Sequence, residues 1–460
     1  MGLMTKQELD SDQSMQAAGC PTWLRKHSSS SRTHRKKSLM FHHGVNALDR
    51  WLVKKMLDVV GNPPVRISLW DGVEVTPFCK NPVAIMTYCD RGALFKTIID
   101  PELHWGDLYC TGRVMFEGDM AEFMQVIYLG ISSKEKIGFL RKSVLWLGHR
   151  NIFNSYDKAK ENIYHHYDIG NNFYKLWLDK EEMQYTCAYF PRDNMTLEEA
   201  QIAKLHHICQ KLNLKPGDNV VEAGCGWGGL ARFMARHYGV KVTAYNISKE
   251  QIKYARQRAE EEGLYDQVEF VLDDYRNIHG QYDVFVSVGM LEHVAKRDYQ
   301  ELGGVIKRCL KPEGRGLIHS IGRIISGPMN AWIERRIFPG ACPPTLSEMM
   351  SIFEPNELVT LDIENIRLHY SKTLEMWRQR YEQHKEEIAE MMDEKFVRAW
   401  GLYLSGSLAA FNVGELQLFQ VVFAHVENNN VPRSRRHVYD LEKKKTGVKT
   451  RLTLVTSDTE

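Results

Sequence analysis

The segment Glu222-Ala223-Gly224-Cys225-Gly226-Trp227-Gly228-Gly229 constrains this chain more than any other stretch of its 460 residues. The apolar pair Val220-Val221 leads into it and an amphipathic run, 230–238, leaves it, so the glycines fall where a short buried strand turns into a helix. Glycine tolerates positive φ and lets backbone come close to a ligand, which such a turn requires. Glu222 stands at the strand end, two residues before the first glycine, in the E/D-x-G-x-G-x-G form of methyltransferases that bind S-adenosylmethionine. Gly224, Gly226 and Gly229 also satisfy the dinucleotide spacing G-x-G-x-x-G. A dinucleotide fold would place a carboxylate about 20 residues on to hold a ribose. Thr243-Ala244-Tyr245-Asn246 offers none there, which favours the methyl donor. The turn by itself says nothing about the acceptor.

The surrounding pattern predicts the fold. Helical spacing over 197–212, a strand over 240–245, a helix over 249–262 stopped by Gly263, and apolar runs at 268–272 and 284–288 alternate along the chain. A last strand, 316–319, follows a Lys311-Pro312-Glu313-Gly314 turn. This alternation predicts an α/β, doubly wound, mostly parallel Rossmann-like sheet whose ligands bind outside the carboxyl ends of the strands. Upstream, a helix over 47–59 and strands at 66–70 and 83–88 predict a smaller α+β amino-terminal domain. The expected boundaries are a disordered basic segment at 1–45, the small domain at 46–130, a linker at 131–155, the methyltransferase domain at 156–430 and a basic flexible tail at 431–460.

Charge and cysteine usage bound the partners. The net charge of +2 gives no argument for nucleic acid, and none is expected as a partner. Arg25, Lys26, Arg32, Arg35, Lys36 and Lys37 occur without an acidic neighbour, and Arg433, Arg435, Arg436 and Lys443-Lys444-Lys445 repeat the bias at the other end. Such ends read as solvated tails or as electrostatic contacts to an anionic surface, worth about 1 kcal/mol per basic residue at a lipid headgroup. None of the nine cysteines falls in a C-x-x-C pair, and His42-His43, His165-His166 and His206-His207 lack partners at ligand spacing, so no metal is assigned. The unpaired cysteines, the absence of a secretory apolar region and the lack of a run of about 18 apolar residues predict a cytoplasmic protein that touches a membrane without crossing it.

Several linked stretches narrow the acceptor. They are His165-His166-Tyr167-Asp168-Ile169-Gly170-Asn171, Met183-Gln184-Tyr185-Thr186-Cys187-Ala188-Tyr189-Phe190 and the glycine turn, followed by Ser287-Val288-Gly289-Met290-Leu291-Glu292-His293-Val294, Ile318-His319-Ser320-Ile321-Gly322 and Gln417-Leu418-Phe419-Gln420-Val421-Val422-Phe423. In order and spacing, over roughly residues 156–425, they resemble the cyclopropane-fatty-acyl-phospholipid synthase family, including its mycolic acid relatives. The amino-terminal module looks like the extra domain of bacterial members.

The resemblance implies methylene transfer from S-adenosylmethionine to the cis double bond of an unsaturated acyl chain, on a phospholipid in a membrane surface. The alkene attacks the sulfonium methyl, and proton loss from the added carbon lets a ring close. An alkene is a weak nucleophile, so it must be held against the sulfonium in a dry pocket. In this family a bound bicarbonate ion is understood to accept the proton. The positions matching its ligands are Cys187, Glu292, His319, Ile321 through its backbone, and Tyr370. For the cofactor, the family pattern maps Tyr185 and Thr186 to the methionine end above Gly224, Cys225 and Gly226, with Glu222 at the strand end, Asn246 and Gln251 near the ribose and methionine moieties, and Asp274 and Tyr275 at the adenine. A homodimer is expected by analogy only.

Each residue also admits a structural role: Cys187 as a small buried hydrophobe, Glu292-His293 as helix-capping residues, His319 as a core histidine, Tyr370 as a packing aromatic and Asp274 as a cap. The chain departs from the family pattern in three places: Asn246 stands for a common threonine, Glu222 for the usual aspartate, and Ser407 for a cysteine or other small residue of the acyl-pocket helix. Rival expectations are a methyl-branching enzyme acting on the same alkene, an amine N-methyltransferase and a lipid-binding pseudoenzyme.

Overall fold

The computed structural model describes residues 44–75, 80–132 and 169–439. The basic segment before Gly44, the linker after Ser132, residues 165–168 of the His-His motif and the tail beyond Tyr439 lie outside the described residues.

Asn46 opens α1 (Ala47–Val59) through a capping box with Asp49, and Val53 and Leu57 form its buried stripe. The chain continues through β1 (Val65–Ser68), β2 (Ala84–Tyr88), α2 (Arg91–Ile99), α3 (Pro101–Cys110), β3 (Val114–Gly118) and α4 (Met120–Ser132). Asp90 and Asp100 cap α2 and α3, with Pro101 opening the second helix, where its missing N–H costs nothing. The three strands lie in the order β1-β2-β3, parallel then antiparallel. Helix α4 crosses the expected boundary at 130 and runs to Ser132.

The larger sheet is built from β4 (Asn219–Ala223), β5 (Lys241–Asn246), β6 (Val268–Leu272), β7 (Tyr282–Val288), β8 (Leu310–Arg323), β9 (Leu358–Asn365) and β10 (Leu416–His425). Its helices are α5 (Asn171–Lys175), α6 (Leu197–Lys211), α7 (Gly229–Tyr238), α8 (Lys249–Glu261), α9 (Tyr299–Cys309), α10 (Ala331–Arg336), α11 (Leu346–Phe353), α12 (Arg367–Gln383), α13 (Lys385–Met391), α14 (Glu394–Val413) and α15 (Arg436–Tyr439). The strand order is β6-β5-β4-β7-β8-β10-β9; all neighbours are parallel except β10, which runs antiparallel between β8 and β9. The doubly wound, mostly parallel sheet is thus present. Chain order reverses between β4 and β7, and a crevice opens there at the strand ends. The expected turn at 311–314 is absorbed into β8, where the pairing with β7 shifts register between the Tyr282–Leu310 and Val284–Arg315 pairs.

Two features set the walls of the site. Aromatic side chains of α5 and its continuation, Phe173 and Trp177, meet Trp377, Phe396 and Trp400 of α12 and α14 at ring separations of 4.9 to 6.0 Å. Below them, Glu182 accepts from Arg232 at 2.7 Å and from Arg236 at 3.1 Å, while Arg232 also reaches Glu262 at 3.0 Å and the carbonyl of Trp227 at 2.9 Å. Burial, with the Glu262 charge as a lesser cause, raises the Glu182 carboxyl, and the two guanidiniums oppose that rise. Removing one partner of such a pair strands a buried charge. Arg232→Met should therefore cost about 3 kcal/mol in urea unfolding, and a loss below about 1 kcal/mol would mean that the network behaves as an exposed pair.

Candidate active site

The crevice between β4 and β7 holds the first cavity, and all ten residues matched to the cofactor line it: Tyr185, Thr186, Glu222, Gly224, Cys225, Gly226, Asn246, Gln251, Asp274 and Tyr275. Gly224 adopts φ +82 and Gly226 φ +54, and the N–H groups of Gly224 and Cys225 both donate to the Tyr245 carbonyl, at 2.9 and 3.0 Å. A Cβ at Gly224 would lie 2.8 Å from Met290 Cβ, whereas one at Gly226 would meet no protein atom within 4 Å. The turn is therefore closed on its β7 side and open at Gly226, which is the shape a ligand cradle needs. Asn246 donates to the Gly226 carbonyl at 3.1 Å and to Gln251 Oε1 at 2.9 Å, so these two amides brace the turn from beneath. Burial pushes the Glu222 carboxyl up to about 8, and its Oε2 has no hydrogen-bond partner. Asp274 does cap, accepting from the Arg276 N–H at 2.9 Å, and the Arg276 guanidinium lies 4.9 Å from the Tyr275 ring centroid. Capping and cavity lining coexist in Asp274.

The second cavity has a volume of about 1550 Å³ and mostly apolar walls, and Cys187, Glu292, His319, Ile321 and Tyr370 all line it. The amino-terminal domain closes one side of it with Trp51, Met56, Ile98 and Trp105, and Ser407 of α14 lines it too. Inside this apolar chamber His319 Nε2 and Glu292 Oε2 have no partner in hydrogen-bond geometry, the Ser320 hydroxyl beside the Glu292 carboxylate bonding instead to the Ile321 carbonyl at 3.0 Å. The Gln420 amide lies 3.1 Å from His319 Nδ1; with its NH2 group turned to the ring, as here, Nδ1 accepts and the proton sits on Nε2. Burial, with the nearby Lys204 charge as a second cause, holds His319 well below its ordinary pKa, so the ring is a neutral donor. Glu292 Oε1 accepts from the Ile321 N–H at 2.6 Å, and burial lifts its carboxyl to about 7. The Ile321 amide thus fixes the carboxylate in this conformation. An unspent donor and an unspent acceptor in the lining of one cavity suit a small anion that carries a hydroxyl, as bicarbonate does. Cys187 is fully buried, and its thiol is pushed above its usual range by burial, which makes it a neutral lining group.

Tyr185, Thr186, Gly289 and His293 line both cavities and so form the wall between them. Tyr185 Oη is 2.9 Å from Tyr403 Oη, which ties that wall to α14. His293 lowers to about 4 through burial and is neutral at physiological pH. Its place in the partition was not singled out from sequence; its adjacency to Glu292 in the Leu291-Glu292-His293 turn was the available signal. Among the described residues no group of three potential ligands surrounds a metal site, and no helix is long and apolar enough to cross a membrane.

The mycolic acid cyclopropane synthetase family model matches residues 154–421. A probable fatty acid methyltransferase of Pseudomonas putida is 36% identical over 370 residues, covering 78% of this chain and 91% of that protein. The cyclopropane-fatty-acyl-phospholipid synthase of Escherichia coli (strain K12) is 39% identical over 341 residues, 73% of this chain and 86% of the relative. Among solved structures, the cyclopropane synthase MmaA2 from Mycobacterium tuberculosis is similar with a TM-score of 0.56 and 28% identity, covering 60% of this chain and 100% of that one. The mycolic acid cyclopropane synthase CmaA1 complexed with SAH and CTAB gives a TM-score of 0.55 at 28% identity, covering 57% and 97%. By sequence and by fold, the chain belongs to the mycolic acid cyclopropane synthetase family and is an S-adenosylmethionine-dependent methyltransferase.

Proposed function

We propose that this enzyme transfers a methylene group to the cis double bond of an unsaturated acyl chain carried by a phospholipid in a membrane surface, forming a cyclopropane ring. The observation that carries the reading is the orphaned pair, His319 Nε2 and Glu292 Oε2, in the wall of an apolar chamber that shares Tyr185, Thr186, Gly289 and His293 with the cofactor crevice. The chamber's size and apolar lining suit a fatty acyl chain, and the kinship with acyl-modifying enzymes supports it.

S-adenosylmethionine, when bound, supplies an electrophilic methyl on a sulfonium. In this reading Gly224, Cys225 and Gly226 receive its methionine end, with Glu222 at the strand end, Asn246 and Gln251 hold the cradle, Asp274 and Tyr275 face the adenine, and Tyr185 and Thr186 lie between donor and acceptor. Bicarbonate, when bound, supplies a weak base that is a poor nucleophile toward the methyl donor. His319 Nε2–H and the Tyr370 hydroxyl would donate to that anion and Glu292 would accept from its hydroxyl, with the Ile321 amide fixing Glu292 and Cys187 closing the pocket. The apolar walls keep water from trapping positive charge on the acyl chain. The amino-terminal domain, 46–130, completes the chamber rather than adding a separate activity. We propose that the protein sits peripherally on the cytoplasmic side of a membrane.

The full chain, incubated with methyl-labelled S-adenosylmethionine and vesicles of unsaturated phospholipid, should place label in the acyl chains, read by mass spectrometry of released fatty acids. Label in the headgroup, or in no lipid under any condition, contradicts the reading.

A further inference from the structure

The most unusual charge in the molecule is a lysine buried in mid-helix. Lys204 of α6 has no exposed surface, yet its Nζ donates to Gln184 Oε1 and, at 3.0 Å, to Thr186 Oγ1. One turn earlier on the same face, Gln201 donates to the carbonyl of Thr186 at 2.9 Å. From the other side Asp179 accepts the N–H groups of Glu182 at 2.8 Å and of Gln184 at 2.6 Å. The segment so clamped, 184–186, is the wall that both cavities share through Tyr185 and Thr186.

A clamp alone needs no charge; a glutamine in place of the lysine would also donate. Burying an ammonium costs several kcal/mol unless it is paired, and both acceptors of Lys204 are neutral. Among the described residues it makes no ion pair. Asp179, Glu222 and Glu182 favour its charged form from beyond ion-pair distance, while Asp179 also takes backbone N–H groups, Glu182 takes Arg232 and Arg236, and burial pushes Glu222 towards its neutral form. Even so lowered by burial, to about 8, Lys204 is largely protonated at neutral pH.

S-adenosylmethionine and its product differ by one methyl group and one positive charge on sulfur. A fixed cation close behind the wall repels the first and leaves the second untouched, so it opposes donor binding relative to product binding. We propose that Lys204 is a positioning residue for methyl transfer, which holds the 184–186 wall between the cavities and whose buried ammonium weakens the binding of the sulfonium donor relative to its neutral thioether product. The proposal rests on the donor occupying the β4–β7 crevice and is independent of the acceptor.

The test is the ratio of the dissociation constants of S-adenosylmethionine and S-adenosylhomocysteine, measured by calorimetry on the full chain without lipid. In Lys204→Met the donor should gain on the product by roughly tenfold, and Lys204→Arg should keep the wild-type ratio. A purely structural lysine would weaken both ligands together. A ratio within about twofold of wild type in Lys204→Met, or in the neutral donor variant Lys204→Gln if the methionine variant does not fold, overturns the proposal. Absence of labelled lipid from the wild-type enzyme strikes the proposed acceptor and leaves this ratio standing.

Discussion

Glu292→Gln is expected to lower lipid modification by roughly 10²–10³-fold while leaving the affinity for S-adenosylhomocysteine unchanged. The side chain lines the acceptor chamber and not the donor crevice, so its removal should strike one function alone. Glutamine is isosteric, and its Oε1 can still accept the Ile321 N–H that the carboxylate holds at 2.6 Å. What is lost is the orphaned Oε2 acceptor. A stability signature accompanies the kinetic one. Burial raises the carboxyl from 4.5 to about 7, so the folded state favours the protonated form. That favourable contribution is complete below 4.5 and is lost as pH climbs through about 7. The variant does not titrate there; relative to wild type it should gain stability across this window, by at most about 3 kcal/mol. Glu222 titrates in both proteins and cancels in the comparison. Parallel loss of cofactor affinity, or a wild-type-minus-variant stability difference flat in pH, would place Glu292 elsewhere in the mechanism.

Gly224→Val should do the reverse and remove cofactor binding. The residue sits at φ +82, and a Cβ there would lie 2.8 Å from Met290 Cβ, at the point where the β4 turn meets the β7 loop. A β-branched side chain cannot take that φ without strain of about 1–3 kcal/mol. The clash adds to this, so either the turn opens or Met290 moves the Gly289–Glu292 loop. Calorimetry with S-adenosylhomocysteine should show affinity weakened by at least roughly 10²-fold. Retained affinity would show that the turn does not set the donor's position.

Within the donor half of the candidate site, the glycine turn was legible from spacing because it is local to one strand and the helix that follows. Tyr185, Thr186, Asn246, Gln251, Asp274 and Tyr275 were reached only through the resemblance to the family. The acceptor half was legible only through linked motifs: Cys187, Glu292, His319 and Tyr370 come from four separated segments, and nothing in their spacing brings them to one wall. Helices α12 and α14 and strand β10 were not assigned from sequence; α14 and β10 are buried on several sides and carry no clean alternation, whereas α12 does show a one-sided stripe of Tyr370, Leu374, Trp377 and Tyr381. Lys204 was invisible for a related reason. A lysine at mid-helix reads as solvent-facing until α7 and the 184–186 segment are packed over it. The turn expected at 311–314 shows the opposite error, since its residues do bend the chain but β7 and β10 hold β8 continuous around the bend.

The central claim is that this site removes a proton from the transferred carbon and closes a ring. Trideuteromethyl S-adenosylmethionine with vesicles of mono-unsaturated phospholipid tests it directly. Mass spectrometry should find acyl chains that have gained the labelled carbon, lost the double bond and surrendered one deuterium to solvent. Chains that keep every deuterium on a methyl branch would contradict ring closure and make the enzyme a methyl-branching relative.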